Sequence, residues 1–148
     1  MSKAVATDIH AGPWRIRKLQ LNSTRRTLFM LTGKRVLILE NVPLIAVDIE
    51  SVMADLGAVE IMTLSDGDTE ALSNTKIGAH DLAVIDLQSP AESSQKVLIQ
   101  TQRSGIPVIF LTTEPGRPED LEYSGLSTVV QKPFTHDQLR SAIAAVMN

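Results

Sequence analysis

Short apolar runs alternate with amphipathic stretches from residue 35 to the end of the chain. The runs are mostly continuous rather than alternating in polarity, which is typical of strands whose two faces are both covered in a parallel sheet. They predict five buried strands, which lie within residues 36–39, 58–62, 82–87, 106–111 and 127–130.

Two of the stretches between and after these runs carry strong helix signals. After the first run, apolar residues recur at helical spacing between Pro43 and Gly57, two residue types that favour a helix start and a helix end. The closing segment has an apolar helical face behind a Thr135-x-x-Gln138 capping box. Both segments are predicted to be helices.

The remaining gaps have weaker or conflicting signals. Residues 68–76 and 91–103 fit a helical pattern, whereas residues 114–125 contain two prolines and two glycines, so that any helix there is short or irregular. Strands that alternate with helices predict an α/β fold with a parallel sheet and right-handed crossovers.

Polar side chains cluster where the predicted strands end. In an open α/β sheet, ligands bind beyond the carboxyl ends of the strands, close to the point where strand order reverses. An acid, a further acid, a hydroxyl and an amine are therefore expected to meet at one edge of the sheet. The strand ends supply Glu40, Asn41, Asp86, Thr112, Thr113, Lys132 and Pro133.

Four segments of this chain resemble the sequence motifs of the receiver domain of two-component response regulators. They are Leu-Ile-Leu-Glu-Asn-Val-Pro at 37–43, Asp-Leu-Ala-Val-Ile-Asp-Leu-Gln-Ser-Pro at 81–90, Pro-Val-Ile-Phe-Leu-Thr at 107–112 and Gln-Lys-Pro-Phe at 131–134. The resemblance covers about residues 34–148. It implies a flavodoxin-like, doubly wound sheet of five parallel strands in the order 2-1-3-4-5, with five helices, the fourth shortened or irregular here.

The resemblance also implies a phosphoryl-transfer site. Asp86 would accept a phosphoryl group from a histidine kinase or a phosphotransfer protein, Thr112 would turn toward the phosphoryl oxygens, and Lys132 would pair with them. The Lys132–Pro133 peptide bond is expected to be cis. The chain would not be a turnover enzyme, beyond self-catalysed transfer to Asp86 and hydrolysis of the product.

A Mg²⁺ ion belongs to the site that the resemblance implies. Its expected ligands are Glu40, Asn41, Asp86 and the backbone carbonyl of Gln88, all of them oxygen donors of the kind that magnesium prefers. The family usually has a second acid where this chain has Asn41, and an amide supplies no charge. We therefore expect weakened magnesium binding.

Other positions depart from the family pattern. Thr113 replaces a small residue, and Val129 stands where many members have an aromatic that reports activation. Gln88 and Glu114 lie at positions that set the rate of dephosphorylation in the family. The alternative that both are ordinary solvent-exposed side chains has equal weight. The short segment between Thr112 and Lys132 indicates that output does not use the common dimer face in its usual form.

Composition and charge restrict the kinds of site, the location and the domain organisation that we expect. The 148 residues contain no cysteine, so disulfides and thiolate metal sites are excluded, and without a signal peptide or a membrane span we expect a cytoplasmic protein. Residues 1–35 hold eight basic residues against one acidic, a net charge of +7, while the remainder carries −10. This asymmetry predicts a flexible basic arm at 1–33 before a receiver at 34–148, with no output domain after it.

Two further hypotheses stay open from the sequence. A phosphorylation-independent pseudo-receiver would act as a protein-interaction adaptor, and a basic arm of +7 could bind nucleic acid nonspecifically or fold back on the acidic body. A start of translation at Met30 is a further alternative that the sequence leaves open. The sequence Asn22-Ser23-Thr24 is expected to be a turn, and His10, His80 and His136 lack partners at metal-ligand spacing, which favours surface or capping roles.

Overall fold

A computed structural model describes residues 29–88 and 92–147 of the chain. Strands and helices alternate through it, as the apolar pattern predicts. The elements are β1 (Arg35–Leu39), α1 (Pro43–Asp55), β2 (Glu60–Leu64), α2 (Thr69–Asn74), a 3₁₀ turn (Ile77–Ala79), β3 (Leu82–Asp86), α3 (Glu92–Ser104), β4 (Val108–Thr112), β5 (Ser127–Gln131) and α4 (His136–Met147).

The five strands form one parallel sheet in the order β2-β1-β3-β4-β5. The predicted fold class and strand order are thus confirmed. Strand order reverses beside β1, where Ile38 is paired with Thr63 on one side and with Val84 on the other. The carboxyl ends of β1 and β3 therefore lie next to each other at this switch point, where α/β sheets place their sites.

The sheet is covered on both faces, which explains why its strands read as continuous apolar runs. In β1, Val36 and Ile38 pack into one core with α1 and α4, while Leu37 and Leu39 pack into a second core with α3. Side chains along a strand point alternately to the two faces, so a strand between two cores needs apolar residues at every position.

The second strand lies two residues later than its predicted position of 58–62. Helix α1 closes through Gly57, which has φ +94° and whose added Cβ would lie 2.9 Å from the Thr32 hydroxyl. Ala58 still donates to the carbonyl of Met53, and Val59 donates to Lys34. Residues 57–59 are therefore used to leave the helix and enter the sheet, and β2 begins at Glu60.

Residues 113–126, between β4 and β5, form no helix, in agreement with their predicted irregularity. The structure thus differs here from the five helices of the family pattern. Tyr123 anchors the connection: its hydroxyl contacts the carbonyl oxygens of Ile106 and of Thr101, the latter at 3.2 Å. Its ring meets Phe110 edge to face at 5.8 Å, and burial raises the pKa of the phenol above its ordinary value.

The two ends of the described domain are tied to the core. At α4, the predicted capping box is present, with Gln138 N donating to Thr135 Oγ1 at 3.1 Å and Thr135 N donating to Gln138 Oε1 at 2.8 Å. At the other end, Leu31 is fully buried and its amide donates to the carbonyl of Leu56. Residues 29–33 of the predicted arm thus belong to the folded unit.

The remainder of the predicted arm, with His10 and the Asn22-Ser23-Thr24 turn, lies outside the described residues. Its role stays a prediction. Across residues 29–88 and 92–147, no helix has the length and apolar character that crossing a membrane requires.

Candidate functional site

Lys132 joins two buried carboxylates at the carboxyl edge of the sheet. Its ammonium Nζ lies 2.5 Å from Oε1 of Glu40 and 3.4 Å from Oδ2 of Asp86. The side chains of Lys132, Glu40 and Asp86 are 10%, 0% and 7% exposed. Three residues that follow or end different strands thus form one shielded cluster of charges, as the strand-end pattern predicts.

Glu40 is held by the loop that follows β1. Its Oε2 accepts a hydrogen bond from the amide of Val42 at 3.0 Å. Its Oε1 is buried and accepts no hydrogen bond of ordinary geometry from the described residues. The nearby ammonium of Lys132 therefore compensates the negative charge of this oxygen. An unpaired carboxylate at such a position would be costly, which makes Lys132 an essential partner.

Asp86 and Lys132 are positioned mainly by backbone contacts. Asp86 is the last residue of β3, and its Oδ1 accepts a hydrogen bond from the amide of Gln88 at 3.0 Å. Lys132 follows β5, its amide donates to the carbonyl of Thr112 at 2.7 Å, and its bond to Pro133 is cis, as expected. The second oxygen of Asp86 therefore faces the ammonium.

Thr112 ends β4 and is buried beside the site. Its Oγ1 accepts a hydrogen bond from the amide of Glu114 at 3.1 Å and lies 3.4 Å from Nε2 of Gln88. The Gln88 side chain also accepts from the amide of Thr113, at 3.0 Å. Gln88 thus bridges the loops after β3 and β4, while the side chain of Glu114 is exposed.

Solved structures provide the comparison for this fold and site. A double mutant of the anti-anti-sigma factor PhyR from Bartonella quintana is 27% identical with a TM-score of 0.63, over 96% of this chain and 60% of that one. PhyR from Brucella abortus is 26% identical with a TM-score of 0.60, over 88% of this chain and 54% of that one. This chain therefore spans little more than half the length of these two proteins.

A chemotaxis protein shows the same fold over almost its whole length. CheY4 from Vibrio cholerae is 23% identical with a TM-score of 0.60, over 76% of this chain and 98% of that one. This chain therefore has the fold of response-regulator receiver domains. No protein-family model and no curated protein matches its sequence.

The side chain of Asn41 is paired with Asp66, from the turn after β2. Its Oδ1 accepts a hydrogen bond from the amide of Asp66 at 2.7 Å, and its Nδ2 donates to Asp66 Oδ2 at 2.8 Å. Asp66 is not among the residues predicted from sequence. It lies just after β2, and the strand-end rule finds it only when β2 is known to end at Leu64 rather than near Met62.

The donors expected for magnesium are of a suitable kind but few of them carry charge. Asp86, Asn41 and the carbonyl of Gln88 offer oxygen atoms of the kind that suits a hard divalent cation. Glu40, the fourth expected donor, pairs with the ammonium of Lys132 instead. Among the described residues, however, no three acidic or histidine side chains converge closely enough to hold one metal ion. The oxygen donors are thus of the kind that would hold a magnesium ion, and binding of the ion stays a prediction.

Other sequence expectations fall outside this cluster. Val129 is half-buried against the core that contains Phe110, at the position where an aromatic is familiar in receivers. His80 ends the 3₁₀ turn and its Nδ1 lies 3.1 Å from the carbonyl of Lys76, while His136 begins α4 and its Nε2 lies 3.1 Å from Asp48. These contacts give both histidines structural roles.

Proposed function

We propose that this receiver accepts a phosphoryl group on Asp86 from a histidine kinase or a phosphotransfer protein and signals through protein contacts. The observation that carries the proposal is the 3.4 Å separation between Lys132 Nζ and Asp86 Oδ2 inside a buried cluster. A lysine next to an acid at this strand end suits phosphoryl transfer, because it can balance the charge that the transferred group brings.

The transfer uses the oxygen atoms of Asp86. One carboxylate oxygen attacks phosphorus, a P–O bond forms, and the P–N bond to the donor imidazole breaks with its electron pair leaving on the imidazole. A bound Mg²⁺ would supply positive charge against the phosphoryl oxygens. The product carries about one negative charge more than the free carboxylate, because a dianionic phosphoryl group takes the place of one carboxylate charge, and the ammonium of Lys132 faces it.

Thr112 is able to respond without losing its present contacts. The amide of Glu114 and the side chain of Gln88 both donate to lone pairs of Thr112 Oγ1, so neither contact uses the hydroxyl proton. That proton is therefore the donor we assign to a phosphoryl oxygen on Asp86. The Gln88 side chain and the Glu114 amide thereby fix the position of the Thr112 hydroxyl next to the phosphorylated Asp86.

A histidine kinase donor is supported by a solved complex of a structural neighbour. The histidine kinase ThkA was solved in complex with the response regulator protein TrrA. A chain of that complex has the same fold as this protein, with a TM-score of 0.62 and 24% identity over 78% of this chain and 99% of the matched chain. A location in the cytoplasm and a downstream protein partner are also part of the proposal.

A second candidate function is that of a pseudo-receiver, an adaptor that works without phosphorylation. Both polar ends of Asn41 are engaged by Asp66, and the ammonium of Lys132 already compensates Glu40. Asn41 and Glu40 thus have protein partners in the free site, as an adaptor that works without a ligand requires. This second function requires that Asp86 stays unmodified when a donor is supplied.

Intact mass spectrometry distinguishes the two functions. The protein is incubated with acetyl phosphate and Mg²⁺, and its mass is compared with that of Asp86→Asn and of Asp120→Asn, a matched loss of one exposed carboxylate. The proposal expects one added phosphate in the wild type and in Asp120→Asn, and none in Asp86→Asn. Absence of added mass at every magnesium concentration would favour the pseudo-receiver.

A further inference from the structure

The loop after β2 presents Asp66 to Asn41 in a defined geometry. The amide of Glu40 donates to the carbonyl of Leu64 at 3.1 Å, which holds the ends of β1 and β2 together. Asp68 then accepts from the amide and the hydroxyl of Ser65, at 2.8 and 3.1 Å, and so closes the turn in which Asp66 lies. The reciprocal pair between Asn41 and Asp66 is built on this fixed backbone.

The pair has two consequences for the oxygen atom of Asn41. Hydrogen bonds to both ends of the Asn41 amide select one orientation of the side chain. If its oxygen and nitrogen were exchanged, the NH₂ group would face the Asp66 N–H donor and the oxygen would face the Asp66 carboxylate acceptor. The Asp66 carboxylate, which accepts the hydrogen bond from Nδ2, also polarises the amide and so makes the Oδ1 atom a stronger ligand for a cation. Outer-shell carboxylates act in this way on metal ligands in general.

Asp66 also replaces a missing charge. The receiver pattern places two acids after the first strand, whereas this chain has Glu40 and then Asn41. The Oδ2 atom of Asp66 lies 2.8 Å from the Asn41 amide nitrogen, so a carboxylate stands next to the position where the family has one. It comes from the turn after the neighbouring strand β2, 25 residues further along the chain.

We infer that Asp66 is an outer-shell residue of the magnesium site: it orients Asn41 for the cation and restores the acidic charge that Asn41 lacks. This inference rests on the proposed function for the existence of the cation site. It assigns Asp66 no direct bond to the metal, in agreement with the absence of three converging ligand side chains among the described residues. Asp66 is therefore a positioning residue, whose loss changes metal affinity.

Equilibrium binding of Mn²⁺, followed by electron paramagnetic resonance with Mg²⁺ as competitor, tests the inference on the whole chain without any phosphodonor. Asp66→Ala removes charge and hydrogen bond together and is expected to weaken binding by about tenfold or more. Asp66→Asn keeps an acceptor for Asn41 and should weaken it less. Asp120→Asn, the exposed charge-matched control, should bind like the wild type.

A double-mutant cycle shows whether Asp66 acts through Asn41. In a chain with Asn41→Asp, metal binding should be tighter, and the added Asp66→Ala should weaken it clearly less than it does in the chain with Asn41, because only the charge of Asp66 still acts on the cation. The inference is overturned if wild type binds no Mn²⁺, if Asp66→Ala stays within twofold of wild type, or if Asp120→Asn weakens binding equally.

The failure of this inference can be separated from failure of the proposed function. Phosphate uptake by the wild type with metal binding insensitive to Asp66→Ala would refute the role of Asp66 alone. Metal binding that depends on Asp66 in a protein that takes up no phosphate would refute phosphorylation of Asp86 alone.

Discussion

The ammonium of Lys132 lies 2.5 Å from Oε1 of Glu40, and both side chains are almost completely shielded from solvent. The same ammonium lies 3.4 Å from Asp86. One buried cation therefore compensates two buried acids, so that the free site keeps an excess negative charge. The excess negative charge favours a further cation near the site, and it makes removal of the Lys132 ammonium costly.

Lys132→Met is expected to lower the free energy of unfolding by about 3–5 kcal/mol, because it leaves two buried carboxylates without their positive counter-charge. Urea denaturation measures the loss. Lys76→Met, at an exposed lysine, serves as the control and should change little. Adding Glu40→Gln to Lys132→Met should recover part of the stability, and a Lys132→Met protein as stable as wild type would contradict the charge compensation.

Gln88→Ala should loosen the loop after β4. The substitution removes the acceptor of the Thr113 amide and the donor to the Thr112 hydroxyl, with an expected cost of about 0.5–1.5 kcal/mol for each neutral bond. Hydrogen exchange followed by NMR should show faster exchange of the Thr113 amide, while amides in β1 keep their protection. Unchanged exchange at Thr113 would mean that Gln88 is a solvated side chain after all.

Tyr123→Phe tests the anchor of the connection between β4 and β5. The loss of the hydroxyl contacts to Thr101 and Ile106 should destabilise the domain by about 1 kcal/mol, measured by thermal or urea unfolding. The edge-to-face contact with Phe110 is retained in this variant, so a much larger loss would contradict the assignment of the effect to hydrogen bonds.

The same tyrosine predicts a pH dependence. Burial raises the pKa of Tyr123 in the folded protein, so its contribution to stability is fully present below the ordinary pKa of a phenol. That contribution is lost as pH rises through the higher pKa of the folded state. Because Tyr123 is the single tyrosine of the chain, tyrosinate absorbance reports its titration directly. A midpoint at or below the ordinary value would contradict the burial.

Thr135→Ala should remove the cap of α4. The hydroxyl of Thr135 accepts the Gln138 amide at 3.1 Å, and loss of such a cap costs about 1 kcal/mol. Thr135→Ser keeps the acceptor and should retain most of the stability in a denaturation experiment. Equal losses in both variants would indicate that the methyl group, and not the hydroxyl, stabilises the helix.

Local patterns in the chain were sufficient to predict the order of elements and the edge that carries the site. Continuous apolar runs indicate strands that are buried on two faces, and the polar residues that end them gather wherever parallel strands end together. Glu40, Asp86 and Lys132 were found in this way, and the structure brings them into contact. The irregular segment before β5 followed from its prolines and glycines.

The sequence by itself thus determined the alternation of strands and helices and the chemical types at the strand ends, because both depend on neighbours within a few residues. Only the tertiary structure decided the position of β2, the pairing of Asn41 with Asp66 and the bridge from Gln88 to Thr112. These contacts join residues 24 or 25 positions apart. No local period encodes such contacts, since they arise from the register in which separate strands pack beside one another.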